Sequence, residues 1–184
     1  QTFIDSMVDA TRDERFSQYL GELDALIAER PFDGTDWEGG QQYLEGLSAK
    51  IRPTISPSTT LSTMHGCPPA EIEAICSYML SEKKLNTFVK LNPTLLGFET
   101  VREILDTLGY DYITIKRESF DNDLQWSDAI SMLKRLMALG KSVGRGFGVK
   151  LTNTLGSVND QGMLPGDEMY MSGRALLPIS TTVG

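Results

Sequence analysis

Four short apolar runs each pass directly into a polar tail marked by glycine, proline or asparagine: TLSTMHGCPP (60–69), TFVKLNPT (87–94), YITIKRESF (112–120) and FGVKLTNT (147–154). Helix-like stretches separate them. A strand followed by a helix of ten or more residues returns to pair in parallel, so this order predicts right-handed crossovers and a mostly parallel sheet. In such folds functional side chains stand where the strands end and the loops begin. Lys90, Asn92, Lys150, Thr152 and Asn153 occupy those places.

The spacing of apolar residues fills in the rest. Residues 1–30 carry Phe3, Ile4, Met7 and Val8, then Phe16, Tyr19, Leu20, Leu23, Leu26 and Ile27, at intervals of three and four that predict two amphipathic helices. Another short helix is expected over 41–50, ended by Pro53 and Pro57. The front section, 1–58, therefore reads as a mainly helical cap. Beyond it, Pro68 and Pro69 prime a helix whose stripe is Ile72, Ile75, Cys76, Met79 and Leu80, with Cys76 as core. Val101, Ile104, Leu105 and Leu108 mark the next helix, ending at Gly109. The run from Ala129 to Leu139 marks a longer one, stopped near Gly140 to Gly144. The expected fold of 59–184 is α/β, a partial (β/α)8 barrel of about four βα units, because a closed barrel needs about 250 residues. Periodicity alone is compatible with an open sheet as well.

Composition narrows the function classes. With 184 residues and 40% hydrophobic content the chain can bury a core. A net charge of −8 supplies no clustered cations for nucleic acid or for a membrane surface. No apolar run approaches the roughly 20 residues of a spanning helix, and the N-terminus has no basic start with an apolar region behind it; a cytoplasmic protein is expected. Two cysteines, Cys67 and Cys76, are too few for a disulfide framework or a thiolate cluster, so no metal site is expected. The opening Gln1 and the helix-like start at the far end suggest a piece of a longer protein.

Each candidate motif has a plain structural reading beside its chemical one. In HGCPP, His65 and Cys67 follow a strand and precede a helix; Cys67 at a helix N-terminus is expected to have a lowered pKa and to be the more reactive thiol. Gly66 and the two prolines could equally serve only to shape the turn. Lys90 ends a Val-containing strand, where an ammonium can neutralise a flavin ring or an anionic substrate and Asn92 can add an amide hydrogen bond; the alternative is a lysine that snorkels to solvent. Lys150, with Thr152, Asn153 and Thr154, repeats the arrangement, whereas Lys116 and Arg117 read as solvated. In MSGRALLP, Ser172 and Gly173 precede a helix start and could take an anion. There is no G-x-G-x-x-G, Walker or nucleophile-elbow motif.

Taken together, TLSTMHGCPPAEIEAI, KKLNTFVKLNPTLLG, LGYDYI, FGVKLTNT and LPGDEMYMSGRALLPIS resemble the selenate reductase iron–sulfur flavoprotein subunit family over 59–180. That family is similar in turn to the flavin-binding barrel half of dihydropyrimidine dehydrogenase and to dihydroorotate dehydrogenases. The resemblance matches Cys67 and Pro68 to a Cys-Pro turn, and Lys90, Asn92 and Pro93 to the strand beside the flavin. Asn153 and Thr154 match an Asn-Thr pair that lines the flavin, and Ser172 and Gly173 the Ser-Gly of the last loop. The chain departs from that pattern at His65 and Gly66, at Lys150, and in an extra strand–helix unit over 112–144.

What the resemblance implies is a flavin and iron–sulfur oxidoreductase passing electrons to a small-molecule acceptor. FMN would belong to the intact barrel, no cofactor to this piece alone, and FAD and iron–sulfur clusters to other parts of the parent chain. Cys67 and Lys90 would be catalytic. Lys90, Asn92, Lys150, Thr152, Asn153, Thr154, Ser172 and Gly173 would face the cofactor. The other domains of the parent and a small-molecule substrate are the expected partners, and two open sheet edges point to self-association. Two other readings stand beside this one. The first is a non-catalytic scaffold whose strand-end lysines point to solvent or pair with Asp111, Glu118 or Asp123. The second is an aldolase-like lyase with Lys90 as Schiff-base nucleophile.

Overall fold

The computed structural model describes residues 2–48, 50–63 and 65–184, with the side chain of Ser48 also outside the description. Ala49, in the helix expected over 41–50, and Met64, in the first strand-to-tail stretch, lie outside the described residues, as does Gln1. The chain divides into two compact units, Gln1–Pro57 and Ser58–Gly184.

The first unit holds α1 (Thr2–Val8), a 3-10 turn at Ala10–Arg12, α2 (Glu14–Ala28) and α3 (Gly40–Ser48). Asp9 and Asp13 stop the chain between the first two helices by accepting from the Thr11 and Arg15 amides, the usual use of a short carboxylate at a helix start. Met7 O then accepts from the amides of Ile55 and Ser56, and the Ala10 amide donates to Pro53 O at 2.8 Å, which fastens the proline-containing segment back onto α1. Phe32 and Trp37, ahead of α3, and Tyr43 on it make successive ring contacts, edge-on and then tilted, with centroids 4.6 and 5.6 Å apart.

The second unit is built on three parallel strands in the order β1 (Ser58–Ser62), β2 (Asn86–Leu91), β3 (Phe147–Leu151). Side chains alternate across a strand. On β2, Thr87, Val89 and Leu91 are buried under α4 (Pro69–Ser81) and α7 (Trp126–Ser142), within a core that includes Ile72, Cys76, Leu80, Met132 and Leu136. On the opposite face Thr60, Ser62, Phe88 and Lys150 are exposed and Lys90 half-buried. One face of the sheet is thus a finished core, and the other is bare.

Why α7 ends where it does follows from Gly140. A Cβ there would lie 2.9 Å from Arg145 O and 3.3 Å from Phe147 Cβ, and Arg145 N already donates to Gly140 O at 2.9 Å. The helix end is seated on the entrance to β3. Alanine at 140 gains about 1 kcal/mol of helix propensity, but crowding a backbone carbonyl that cannot turn away costs more. Gly140→Ala is expected to lower stability by about 2 kcal/mol net, read from urea unfolding; a variant as stable as the parent would contradict this seating.

The third apolar run does not join the sheet. Residues 112–115 were expected as a strand, but β3 pairs directly with β2, from Thr87 opposite Phe147 to Leu91 opposite Leu151, and so fills the edge such a strand would need. The backbone groups of the run are satisfied otherwise: Arg102, on α5 (Phe98–Thr107), donates to Tyr110 O and Ile113 O, and Thr114 O accepts from the Val158 amide. Ile115 packs into a second core with Val101, Leu105, Phe120, Leu155, Leu176 and Ile179. That core also contains an antiparallel hairpin, β4 (Leu155–Val158) with β5 (Glu168–Met171), the short α6 (Arg117–Asp121), and α8 (Leu177–Val183). Among the described residues no helix is long and apolar enough to cross a membrane.

Candidate functional site

Because the three strands are parallel and in register, their carboxyl ends reach one rim. Ser62, Lys90 and Lys150 are register partners across β1, β2 and β3, which places the two lysines side by side on the bare face. Like charges on neighbouring strands repel. Among the described residues neither lysine forms an ion pair, and of the carboxylates weighed as partners Asp123 is engaged by His65 instead. Above them, Thr63 Oγ1 donates to Lys90 O at 3.3 Å, and the Asn153 amide donates to Leu91 O at 2.7 Å, so the turn after β3 is hung from the end of β2.

Beside this rim opens a cleft of roughly 650 Å³, bordered by Thr63, His65, Thr94, Asn153, Thr154 and the Lys116–Glu168 pair, among others. Its wall is organised by one carboxylate. Asp123, 7% exposed, receives His65 Nδ1 at 2.9 Å, Asn92 Nδ2 at 2.9 Å and Thr94 Oγ1 at 2.7 Å on Oδ2. The amides of Leu124 (2.9 Å) and Gly66 (3.4 Å) donate to Oδ1. Burial by itself pushes the Asp123 carboxyl up. The hydrogen bonds from Thr94, the Leu124 amide, His65 and Asn92 more than offset it, leaving the group below its ordinary value and ionised. Asn92 Oδ1, on the far side of an amide whose NH2 is committed to Asp123, is buried and accepts no hydrogen bond among the described residues.

The other candidates are distributed around this centre. Thr154 and Asn153 line the cleft, Asn153 Oδ1 accepting from the Thr154 amide. Thr152 is turned to α8, where its hydroxyl meets Ser180 Oγ at 2.7 Å. Ser172 and Gly173 are exposed and do not border the cleft, although Leu155 pairs with Met171, so their loop leaves the hairpin close to Thr154. Cys67 lines a separate hollow of roughly 420 Å³ with Pro68, Glu71 and Ile75. Its pKa is raised, not lowered as a helix N-terminus alone would have it, because burial and the nearby Glu71 and Asp123 carboxylates disfavour the thiolate. Cys76, deeper in the core, is pushed up to about 11. Lys116 and Arg117, expected to be solvated, are partly exposed but paired, Lys116 with Glu168 at 3.2 Å and Arg117 with Glu99, the Arg117 guanidinium lying 4.2 Å from the centre of the Phe98 ring.

Comparison with known proteins places this geometry. The family model of the N-terminal TIM-barrel domain of oxidoreductase YgfK matches residues 1–184, the whole chain. The chain belongs to that family. It is 56% identical over all 184 residues to the curated protein "Putative oxidoreductase YgfK" of Escherichia coli K12, and to its counterpart in E. coli O157:H7 to the same extent. It spans 18% of the length of each. No solved structure matches the chain. The three parallel strands with helices on one face are thus part of a TIM-barrel architecture, and the rim described above is the end at which such barrels place their sites.

Against that architecture the centre of the site, Asp123, was weighed in the sequence only as a counter-ion for the strand-end lysines, and its hold on His65 was not foreseen. It lies in a polar connection, FDNDLQW, that has no apolar period to read. The available signal was indirect: the only histidine of the chain stands at a strand end without a sequence-adjacent partner, and an imidazole held in one orientation wants a carboxylate or carbonyl on one nitrogen. Thr94, read as part of a turn, is the second member of the same network.

Proposed function

We propose that this domain contributes one wall of the redox site of a larger oxidoreductase, with the carboxyl rim of its sheet facing a flavin or an anionic small molecule. The observation that carries the reading is the register of Lys90 with Lys150, two neighbouring ammonium groups on a bare sheet face that form no ion pair among the described residues. A pair so placed is stabilised by an anion or by an electron-rich ring laid against it.

The residues present fit one end of FMN. Lys90 and Lys150 suit the carbonyl edge of the ring, and the orphaned acceptor Asn92 Oδ1 suits an N–H beside it. Lys90, Lys150 and Asn92 lie beside the cleft and not on its border, and Ser172 and Gly173 stand off it as well, so the phosphate end would be held by other parts of the parent chain. FMN bound in this way would supply one- and two-electron transfer. The protein's share is to offset negative charge through the lysines and to orient the ring through the Asn92 and Asn153 amides. FAD and iron–sulfur centres would sit elsewhere in the parent, which would work in the cytoplasm. A selenate-type oxyanion acceptor is the substrate class that the selenate reductase resemblance brings, and the lysine pair is suited to its charge.

The test uses the full-length parent. Wild-type protein is expected to release close to one FMN per chain on heat denaturation, and the Lys90→Ala/Lys150→Ala double variant less than a tenth of that, read by flavin fluorescence. Equal FMN in both, or none in the wild type, sinks the flavin reading. The exposure of Lys150 favours a second reading, a non-catalytic scaffold that positions redox domains; that reading gains if the double variant keeps both its flavin and its turnover.

A further inference from the structure

The single histidine of the chain is held in a way the flavin reading does not use. His65 follows β1, its side chain 38% exposed, with Nδ1 on the Asp123 carboxylate at 2.9 Å. A carboxylate only accepts hydrogen bonds, so Nδ1 must carry a proton, and in the neutral imidazole the lone pair then resides on Nε2. Asn92 Nδ2, 3.4 Å from Nδ1, is a donor as well and cannot draw that proton away; the two donors share Asp123 Oδ2 with Thr94. The Leu124 and Gly66 amides hold the other oxygen, so the carboxylate is fixed in orientation from both sides. His65 borders the roughly 650 Å³ cleft and also the hollow that contains Cys67.

We infer that His65 is the proton acceptor and donor of the cleft, with Asp123 as the residue that positions and polarises it, for a polar small molecule bearing an acidic N–H, O–H or C–H. In the forward step the Nε2 lone pair takes that proton, and the electron pair of the broken bond stays on the bound molecule. The imidazolium so formed is paired through Nδ1–H with Asp123, and return of the proton restores both partners. Other ionisable groups around the ring do not replace this partner. Lys116 and Glu168 neutralise each other across the cleft, and Glu118 and Tyr170 lie along its border; on the opposite side Cys67 and Glu71 face the second hollow. Cys67, whose thiolate is disfavoured, does not compete for this role, which is independent of the electron carrier that the parent uses.

The imidazole can be read directly in the full-length protein with diethyl pyrocarbonate, which acylates unprotonated imidazole nitrogen, followed by peptide mass spectrometry of the segment containing His65. At about pH 8, where free imidazole is neutral, native wild-type His65 is expected to react at least as fast as the same residue in urea-unfolded protein, despite its partial burial. Asp123→Asn is expected to slow that reaction about fivefold, because an amide can turn its NH2 toward Nδ1 and move the ring proton to Nε2, which removes the lone pair that attacks the reagent. A carboxylate that merely ties the turn down gives the opposite sign, because loosening the turn exposes the ring and speeds the reaction. A faster or unchanged rate in Asp123→Asn overturns the inference. If circular dichroism shows that variant to be unfolded, the wild-type comparison decides alone: a native rate below the unfolded rate overturns it.

Discussion

Asp123→Ala is expected to destabilise the unit Ser58–Gly184 by about 4 kcal/mol, since truncating a buried carboxylate strands the donors it satisfied. Five groups point at it, and three of them, the Asn92 amide, the Thr94 hydroxyl and the Leu124 N–H, belong to residues that are themselves buried. His65 and Gly66 can turn to water; the other three cannot without opening the rim. Asp121→Ala, two residues away and exposed, is the control and should change stability by less than about 0.5 kcal/mol. Urea unfolding of both variants checks this, and similar midpoints would show that the carboxylate is not the tie described here. The deficit also has a pH signature. Asp123 is held below its ordinary value in the fold, so its contribution is fully present above the unfolded carboxylate value of about 3.9 and disappears as pH falls through the folded value. The gap between wild type and Asp123→Ala should therefore be widest above that value and narrow in acid, where the protonated carboxyl still accepts some of its hydrogen bonds.

The second large effect is expected in the finished core. Leu136 on α7 is 1% exposed and belongs to the cluster with Ile72, Cys76, Leu80 and Val89 that joins α4, α7 and the sheet. Leu136→Ala removes buried methyl groups and leaves a cavity that three rigid elements cannot close, costing about 3 kcal/mol. Leu177→Ala, on a residue 61% exposed, should cost little by comparison. Thermal unfolding of the two variants side by side settles the matter, and equal losses would mean that the sheet face under α7 is not the packed one.

Much of this architecture was legible because it is written in local chemistry. The stripe Ile72, Cys76, Leu80 carries the 3.6-residue period of α4, Pro69 opens that helix, and the alternation Thr87, Val89, Leu91 declares β2 and its buried face. The run 112–115 misled for a physical reason. Alternating apolar residues report that one side is buried, not that a strand edge is free to pair, and here Ile115 is buried against α5 and α8 elements while Arg102 and Val158 take up the backbone groups. Register was legible only in part. The repeated V-K-L pattern suggested that Lys90 and Lys150 occupy equivalent places, but their adjacency depends on β3 following β2 in the sheet, a long-range choice made across α5, α6 and α7. The Asp123 network was legible only as the indirect hint of a lone strand-end histidine, since its donors come from residues 58, 31 and 29 positions away in the chain. Helix-end reasoning for Cys67 failed because the thiol's own surroundings, burial and two carboxylates, outweigh a terminal dipole.

One knot on Oδ1 and Oδ2 gathers the turn after β1, the turn after β2 and the approach to α7. These three turns consequently do not hinge independently. Strain applied at any of them is shared with the other two, and that side of the cleft shifts together.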